Sequence, residues 1–286
     1  SVAETKQRIA FQGEIGANSD LACRHVHADM ETLPCHTFED TFAAVESGAA
    51  ALALIPIDNS VAGRVADIHH LLPGSGLHII GEHFQRVEHH LLAVKGTQID
   101  TLTHVHSHVH ALNQCRDVIN ELGLEAVVHV DTAAAARDIA ERGEPAHAAI
   151  ASELAGEIYG LDSLRANIED AEHNTTRFLV MSADERNAKP SSGDLITSFV
   201  FRVRNVPAAL YKALGGFATN GVNITKLESY LVGGGFVAAQ FYADVDGHPE
   251  DTGLAFALEE LNFYSHEVRI LGVYPASPFR KSMNGT

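Results

Sequence analysis

The feature that most constrains this chain is a change of rhythm. Up to about residue 180, short apolar runs alternate with amphipathic stretches; beyond a polar break the order is different. "RIAFQGEIGANS" (8–19) reads as a short strand and a glycine turn, and "FEDTFAAVESG" (38–48) as an amphipathic helix ended by Gly48. "AALALIPIDNS" (50–60) is a continuous apolar run, as expected of a strand buried on both faces of a parallel sheet. "LHIIGEHF" and "EHHLLAVKG" read as two more strands. "AVVHVDTAAAARDIAERGE" and "AHAAIASELAGEIYG" each read as strand then helix. Repeated strand–helix alternation means an α/β region. "SADERNAKPSSGD" (182–194) is a polar linker. After it come strand "TSFVFRVRN", helix "PAALYKALGGFATNG", strands "NITKLESYLV" and "FVAAQFYADVDG", helix "EDTGLAFALEELNFYS" and strand "EVRILGVYP". That is βαββαβ, the ferredoxin-like order.

A chain of 286 residues with 45% hydrophobic content accommodates two domains with real cores. No apolar run is long enough to span a membrane, and "SVAETKQRIAFQGE" lacks the look of a signal peptide. Three unpatterned cysteines, Cys23, Cys35 and Cys115, fit reduced thiols, so a cytoplasmic protein is expected. The net charge of −17 argues against a nucleic-acid partner. It also requires any anion site to be made locally, by a few arginines or by helix N-termini.

"THVHSHVH" (103–110) places His104, His106, His108 and His110 at alternate positions, which on one strand face would suggest a metal site. The second half reads better as a helix. "SHVHALNQCRDVINELG" carries an apolar stripe at Val109, Leu112, Cys115, Ile119 and Leu122, with Ser107 as N-cap and Gly123 as stop. His108 and His110 then point about 200° apart, away from His104 and His106. No metal is expected; His104 and His106 read as ordinary polar residues in a chain with 18 histidines. Ser107 and His108 stand where a strand meets a helix N-terminus, the ligand-facing end of an open parallel sheet.

"NTTRF" (174–178) pairs two hydroxyls with a guanidinium before the apolar "FLVM". A threonine can donate to a departing oxygen, and an arginine fork fits a carboxylate. Taken alone the motif is weak: Asn-Thr-Thr is also a glycosylation sequon, and a strand entry with a capping threonine is the favoured reading. Together with "PIDNSVAGRVADIHHLL", "FQGEIGANS", "SHVHALNQC", "YGL…NIEDAEHNTTRFLV" and "LESY", it resembles the prephenate dehydratase family over residues 8–275. The departures are Asp58 for the usual glutamate and Val109-His110 for the usual Pro-Gln.

The resemblance implies a two-lobed catalytic region like the type-II periplasmic binding proteins over residues 6–182. Its lobes would be about 8–80 with 170–182, and 81–169. A 183–195 linker and a ferredoxin-like ACT domain over 196–275 would follow. It implies conversion of prephenate to phenylpyruvate, carbon dioxide and water in phenylalanine biosynthesis, with no cofactor. Thr176 maps onto the family's catalytic threonine. Arg177 would be a carboxylate clamp or a tie between lobes. Asn59, Ser60, Gly63, Ser107, His108, Thr132, Thr175 and Phe178 would complete the substrate site. Gly13 and Gly16 would keep the first loop open, without a dinucleotide fingerprint. No long helical segment precedes residue 8, so no fused chorismate mutase is expected. L-phenylalanine would bind where two ACT domains meet in a homodimer or homotetramer, near Asn205, Ala208, Ala209, Leu210, Asn223, Thr225, Glu228 and Ser229. Here Ala208 replaces a usual glycine, tolerable if its φ is negative, and Tyr230-Leu231 replace Arg-Pro. Arogenate dehydratase, the same chemistry on the aminated substrate, and a non-catalytic small-anion binder are the competing readings.

Overall fold

The computed structural model describes residues 6–231, 233–236 and 238–283. The chain runs β1 (Arg8–Gln12), α1 (Asn18–Val26), β2 (Glu31–Cys35), α2 (Phe38–Glu46), β3 (Leu52–Asn59), β4 (Gly63–Arg64), α3 (Ala66–Leu71), β5 (His78–Arg86), β6 (His90–Val94), β7 (His104–His108), α4 (Val109–Gln114), α5 (Arg116–Glu121), β8 (Glu125–His129), α6 (Thr132–Arg142), β9 (His147–Ala151), α7 (Glu153–Tyr159), β10 (Leu161–Arg165) and β11 (Thr175–Ser182). It continues with β12 (Leu195–Val203), α8 (Ala209–Thr219), β13 (Ile224–Leu231), β14 (Ala238–Asp246), α9 (Thr252–Tyr264), β15 (Ser265–Pro275) and α10 (Phe279–Met283). The expected strand positions at Val232 and Val237 lie outside the described residues.

By density of internal contacts the chain forms two units. One holds the chain up to Val65 together with Phe84–Phe178; the other holds Ala66–His83 and the chain from Leu179 on. Three sheets organise them, with strand orders β2-β1-β3-β11-β5, β10-β6-β9-β7-β8 and β13-β14-β12-β15. In the first, β1 pairs in parallel with β2 and β3. In the second, β7 pairs in parallel with β8 and β9. The third is antiparallel throughout, and its order around two helices is the ferredoxin-like arrangement. Phe199, Phe201, Phe217, Phe241 and Leu261 fill the core under α8 and α9. None of the described helices is long and apolar enough to cross a membrane.

Three local expectations are corrected. First, β7 does not stop near His106 but runs to His108, so Ser107 is not an N-cap. Ser107 is fully buried and its hydroxyl donates to the Ile150 carbonyl at 2.6 Å. The cap is His108, whose Nδ1 accepts from the His110 N–H. Second, the expected single helix is two. Cys115 leaves helical geometry (φ −126°, ψ 34°), and the Asp170 carboxylate takes the N–H groups of Arg116 and Asp117, starting a second helix there. Third, Ala208 has φ +60°, the left-handed region, where a negative φ was the condition for tolerating alanine. The segment between the first strand and the first expected helix also holds α1 and β2, which sequence reasoning passed over. β2 contains Pro34, and a proline is admitted there because the strand lies at the sheet edge.

The "THVHSHVH" histidines do not form four ligands around a point. His106 Nδ1 lies 2.8 Å from His129 Nε2, and His106 Nε2 lies 2.8 Å from His147 Nδ1. His104 stacks on His147, while His108 and His110 lie against each other.

Candidate active site

Parallel strands present the N-termini of the following helices at their C-terminal ends. In the first unit those ends border a cleft of about 350 Å³. Gln12 comes from the end of β1, Asn18 and Ser19 from the start of α1, and Asn59 from the end of β3. His108 comes from the end of β7, Asp131 and Thr132 from the start of α6, and Thr176 from the start of β11. His89 and Gln114 complete the polar wall. The loop before α1 is pinned by Ser152, which donates to the Gly16 carbonyl, and by Tyr159, which donates to that of Ile15. Gly16 has φ +93°, and a Cβ there would stand 3.1 Å from the Ala155 Cα, so this close approach requires glycine.

A directed chain of hydrogen bonds runs along the wall. The N–H groups of Val61 and Ala62 donate to Asn59 Oδ1 at 2.9 and 2.8 Å, which fixes the orientation of that amide. Asn59 Nδ2 therefore donates, to Asn174 Oδ1 at 2.8 Å and to Thr176 Oγ1 at 3.0 Å. Asn174 Nδ2 donates in turn to Gln114 Oε1 at 2.9 Å, and His89 Nε2 meets the same oxygen at 2.9 Å. Because Thr176 Oγ1 already accepts, its own proton is directed to something else.

Among the described residues lining the cleft there is no lysine or arginine. Burial pushes the His89 imidazole down in pKa, and burial with the neighbouring His110 pushes His108 down. Both rings are neutral near pH 7. The Asp131 carboxylate caps α6 through the N–H groups of Ala133 and Ala134. The N-cap of α1, Ala17, has no side-chain cap, so the first-turn N–H groups of α1 lack one in this wall. They favour an anion against the opposing charge of the buried Asp20 in the same turn, which is paired with Arg24.

A family model described as prephenate dehydratase matches residues 9–186. The chain belongs to the prephenate dehydratase family. It is 55% identical, over 96% of its own length and 97% of the relative's, to a protein of Komagataeibacter europaeus called bifunctional N-acyl-homoserine lactone acylase/prephenate dehydratase. It is 37% identical, over 95% of its length and 73% of the relative's, to arogenate dehydratase/prephenate dehydratase 1 of Arabidopsis thaliana. The solved prephenate dehydratase of Arthrobacter aurescens in complex with L-Phe superposes with a TM-score of 0.86. It is 31% identical and is matched over 94% of this chain and 90% of its own.

Of the substrate-site residues expected from this family, Asn59, His108, Thr132 and Thr176 line the cleft. Ser60 is placed as a cross-link: its hydroxyl donates to the His173 carbonyl and accepts from the Thr175 N–H, which joins the ends of β3 and β11. Gly63 is exposed in β4. Ser107, Arg177 and Phe178 are buried and outside the lining. Strand alternation explains Arg177, which faces away from the cleft when Thr176 faces it, while Phe178 lies two residues further along, where β11 is buried.

Gln114, Asn174 and His89 were missed as site residues. Gln114 and Asn174 sit inside the quoted motifs "HALNQC" and "NTTRF", so a signal existed; His89 is one histidine among 18 and had none.

The expected effector residues lie in the second unit. Asn205 and Ala208 are exposed at the start of α8, with Ala209 and Leu210 in its first turn. Asn223 donates to Asp246 Oδ2, and Thr225 to the Asp244 carbonyl. Glu228, expected to face an ammonium, is paired with Lys226 Nζ at 3.1 Å. Ser229 is exposed.

Proposed function

We propose that this chain converts prephenate to phenylpyruvate in the cleft of the first unit, with Thr176 as the donor to the departing oxygen. The observation that carries this reading is the direction of the hydrogen-bond chain. Asn59 occupies the Thr176 oxygen as acceptor, and the Thr176 proton is left for a ligand. Prephenate carries a ring hydroxyl para to the carboxylate that departs. As carbon dioxide leaves, its bonding electrons move through the ring and expel the hydroxyl oxygen, and the ring becomes aromatic. The dianion takes up one proton overall and yields phenylpyruvate anion, carbon dioxide and water. Threonine is too weak an acid to supply that proton outright. Its hydrogen bond stabilises charge gathering on the departing oxygen, and solvent completes the protonation. Neutral donors and the first turn of α1 meet the carboxylates without burying many charges.

The catalytic region in this reading comprises residues 6–182 as two lobes, 8–80 with 170–182 and 81–169. Residues 183–195 link it to an ACT domain over 196–275 that binds L-phenylalanine between paired copies. The βαββαβ sheet and the phenylalanine complex of the Arthrobacter relative support the effector.

The test is product formation by the wild-type chain and by Thr176→Ala, read as phenylpyruvate from prephenate and as phenylalanine from arogenate. Loss of one oxyanion-type donor lowers turnover roughly 10²-fold or more. Wild-type turnover of arogenate well above that of prephenate would reassign the substrate. Binding of prephenate without product would favour the non-catalytic reading.

A second activity has one specific observation behind it. The Komagataeibacter relative named also as an acylase is matched over 97% of its length, so no extra domain carries that activity in it. Release of homoserine lactone from an N-acyl-homoserine lactone by this chain, measured beside the dehydratase assay, decides whether it is shared.

A further inference from the structure

The hydrogen-bond chain in the cleft has two ends, and Thr176 is only one of them. The other is His89. The residue is 2% exposed and lines the same cleft as Thr176. Its backbone is held on both sides: its N–H donates to Glu169 Oε2 at 2.8 Å, and its carbonyl accepts from the Ile168 N–H at 3.0 Å. The ring is therefore placed by the main chain as well as by Gln114.

The proton on this ring can be located by following the chain from its fixed start. Backbone N–H groups orient Asn59, Asn59 orients Asn174, and Asn174 donates to Gln114 Oε1. An oxygen that accepts from Asn174 cannot donate to His89, so the 2.9 Å contact requires the proton on His89 Nε2. Burial pushes the ring's pKa down, so it carries that single proton near pH 7. Nδ1 is then a bare lone pair. It is buried and has no hydrogen-bond partner among the described residues. Such an acceptor is unfavourable unless a donor reaches it.

On the prephenate reading, on which this inference rests, one substrate group fits. Both carboxylates and the ketone of the dianion are acceptors only, and the ring hydroxyl is its sole donor. We propose that His89 Nδ1 accepts the hydrogen bond of the substrate's ring hydroxyl. The departing oxygen is thereby held from two sides. Its proton points at His89, which turns a lone pair towards the Thr176 hydroxyl. The two contacts together fix the direction in which the carbon–oxygen bond breaks. Phenylpyruvate has no ring hydroxyl, so the contact is lost when product forms. Arogenate keeps the hydroxyl, so the contact serves either substrate.

Two substitutions separate this role from a structural one. In His89→Gln the side-chain amide nitrogen reaches the Nε2 position and still donates to Gln114, but nothing replaces Nδ1. In His89→Asn the carbonyl oxygen stands near Nδ1 and the acceptor is kept. We expect His89→Gln to lose roughly tenfold or more in kcat/KM for prephenate, and His89→Asn to stay within about threefold of wild type. Inhibition by phenylpyruvate, which lacks the hydroxyl, should be unchanged in both, and this also shows that the cleft is folded. A fully active His89→Gln, equal losses in both variants, or phenylpyruvate inhibition that weakens in step with kcat/KM would each overturn the proposal. A wild-type chain that never forms phenylpyruvate overturns the substrate reading instead, and is seen before any variant is made.

Discussion

At the scale of single residues, the "THVHSHVH" stretch shows what alternation can and cannot tell. It correctly put His104 and His106 on one strand face, but their partners, His129 and His147, come from two other strands and carry no local signal. Three imidazoles form a row whose ends meet carboxylates: His129 Nδ1 lies 3.2 Å from Asp138, and His147 Nε2 lies 3.2 Å from Glu144. Four contacts need four protons and three neutral rings supply three, so one of the four contacts lacks its proton while the rings are neutral. The middle ring stays neutral: burial first, then His129, His147, Arg142 and His104, push His106 down to about 4. Stability follows from that direction. The unfolded chain protonates His106 near its ordinary 6.5, while the folded chain resists until about 4. The folded state is thus favoured above pH 6.5 and loses this contribution as pH falls towards 4. We expect a loss on the order of 2 kcal/mol across that window. Thermal melts at pH 7 and pH 5 check it, because His106→Asn should show a distinctly smaller drop than the wild type.

At the scale of elements, the strands and helices with strong patterns were legible, and the ones set by distant contacts were not. The buried run before Asn59, the helix under "VDTAAAARDIAERG" and the whole βαββαβ order were read from apolar spacing and glycine stops. The break at Cys115 was not, because the cap that starts α5 is Asp170, more than fifty residues away in sequence. The turn into α8 was legible as a turn but not in its handedness. Ala208 sits at φ +60°, where its Cβ crowds the backbone. Ala208→Gly removes that strain and gives back some of it as unfolded-state entropy, so a net gain of about 0.5–1 kcal/mol is expected. A rise in the denaturation midpoint with unchanged slope would register it; a fall would mean that the alanine methyl is needed where it stands.

At the scale of the whole molecule, the chain beyond residue 275 carries no recognisable motif, yet it contributes to the fold of the second unit. Arg280 of α10 meets Glu82 of β5 through two hydrogen bonds, 2.6 and 2.8 Å, and the Glu82 side chain is fully buried. Removing the guanidinium leaves a buried carboxylate without that counter-charge, so Arg280→Ala should cost about 3 kcal/mol or more, while Arg280→Lys should recover part of the loss. Chemical denaturation of the two variants measures both. The proposed phenylalanine site and the cleft should be coupled. If L-phenylalanine inhibits by favouring a form of the protein that binds cleft ligands less well, the coupling is a free energy shared by both sites. The factor by which phenylalanine weakens phenylpyruvate binding must then equal the factor by which phenylpyruvate weakens phenylalanine binding. Calorimetry of each ligand in the presence and absence of saturating amounts of the other gives the two factors independently. Equal factors of roughly fivefold or more are expected. Phenylalanine that binds with both factors near one would leave the βαββαβ sheet as a binding or assembly module uncoupled from the cleft. No heat of phenylalanine binding at millimolar concentration would leave it a structural role alone.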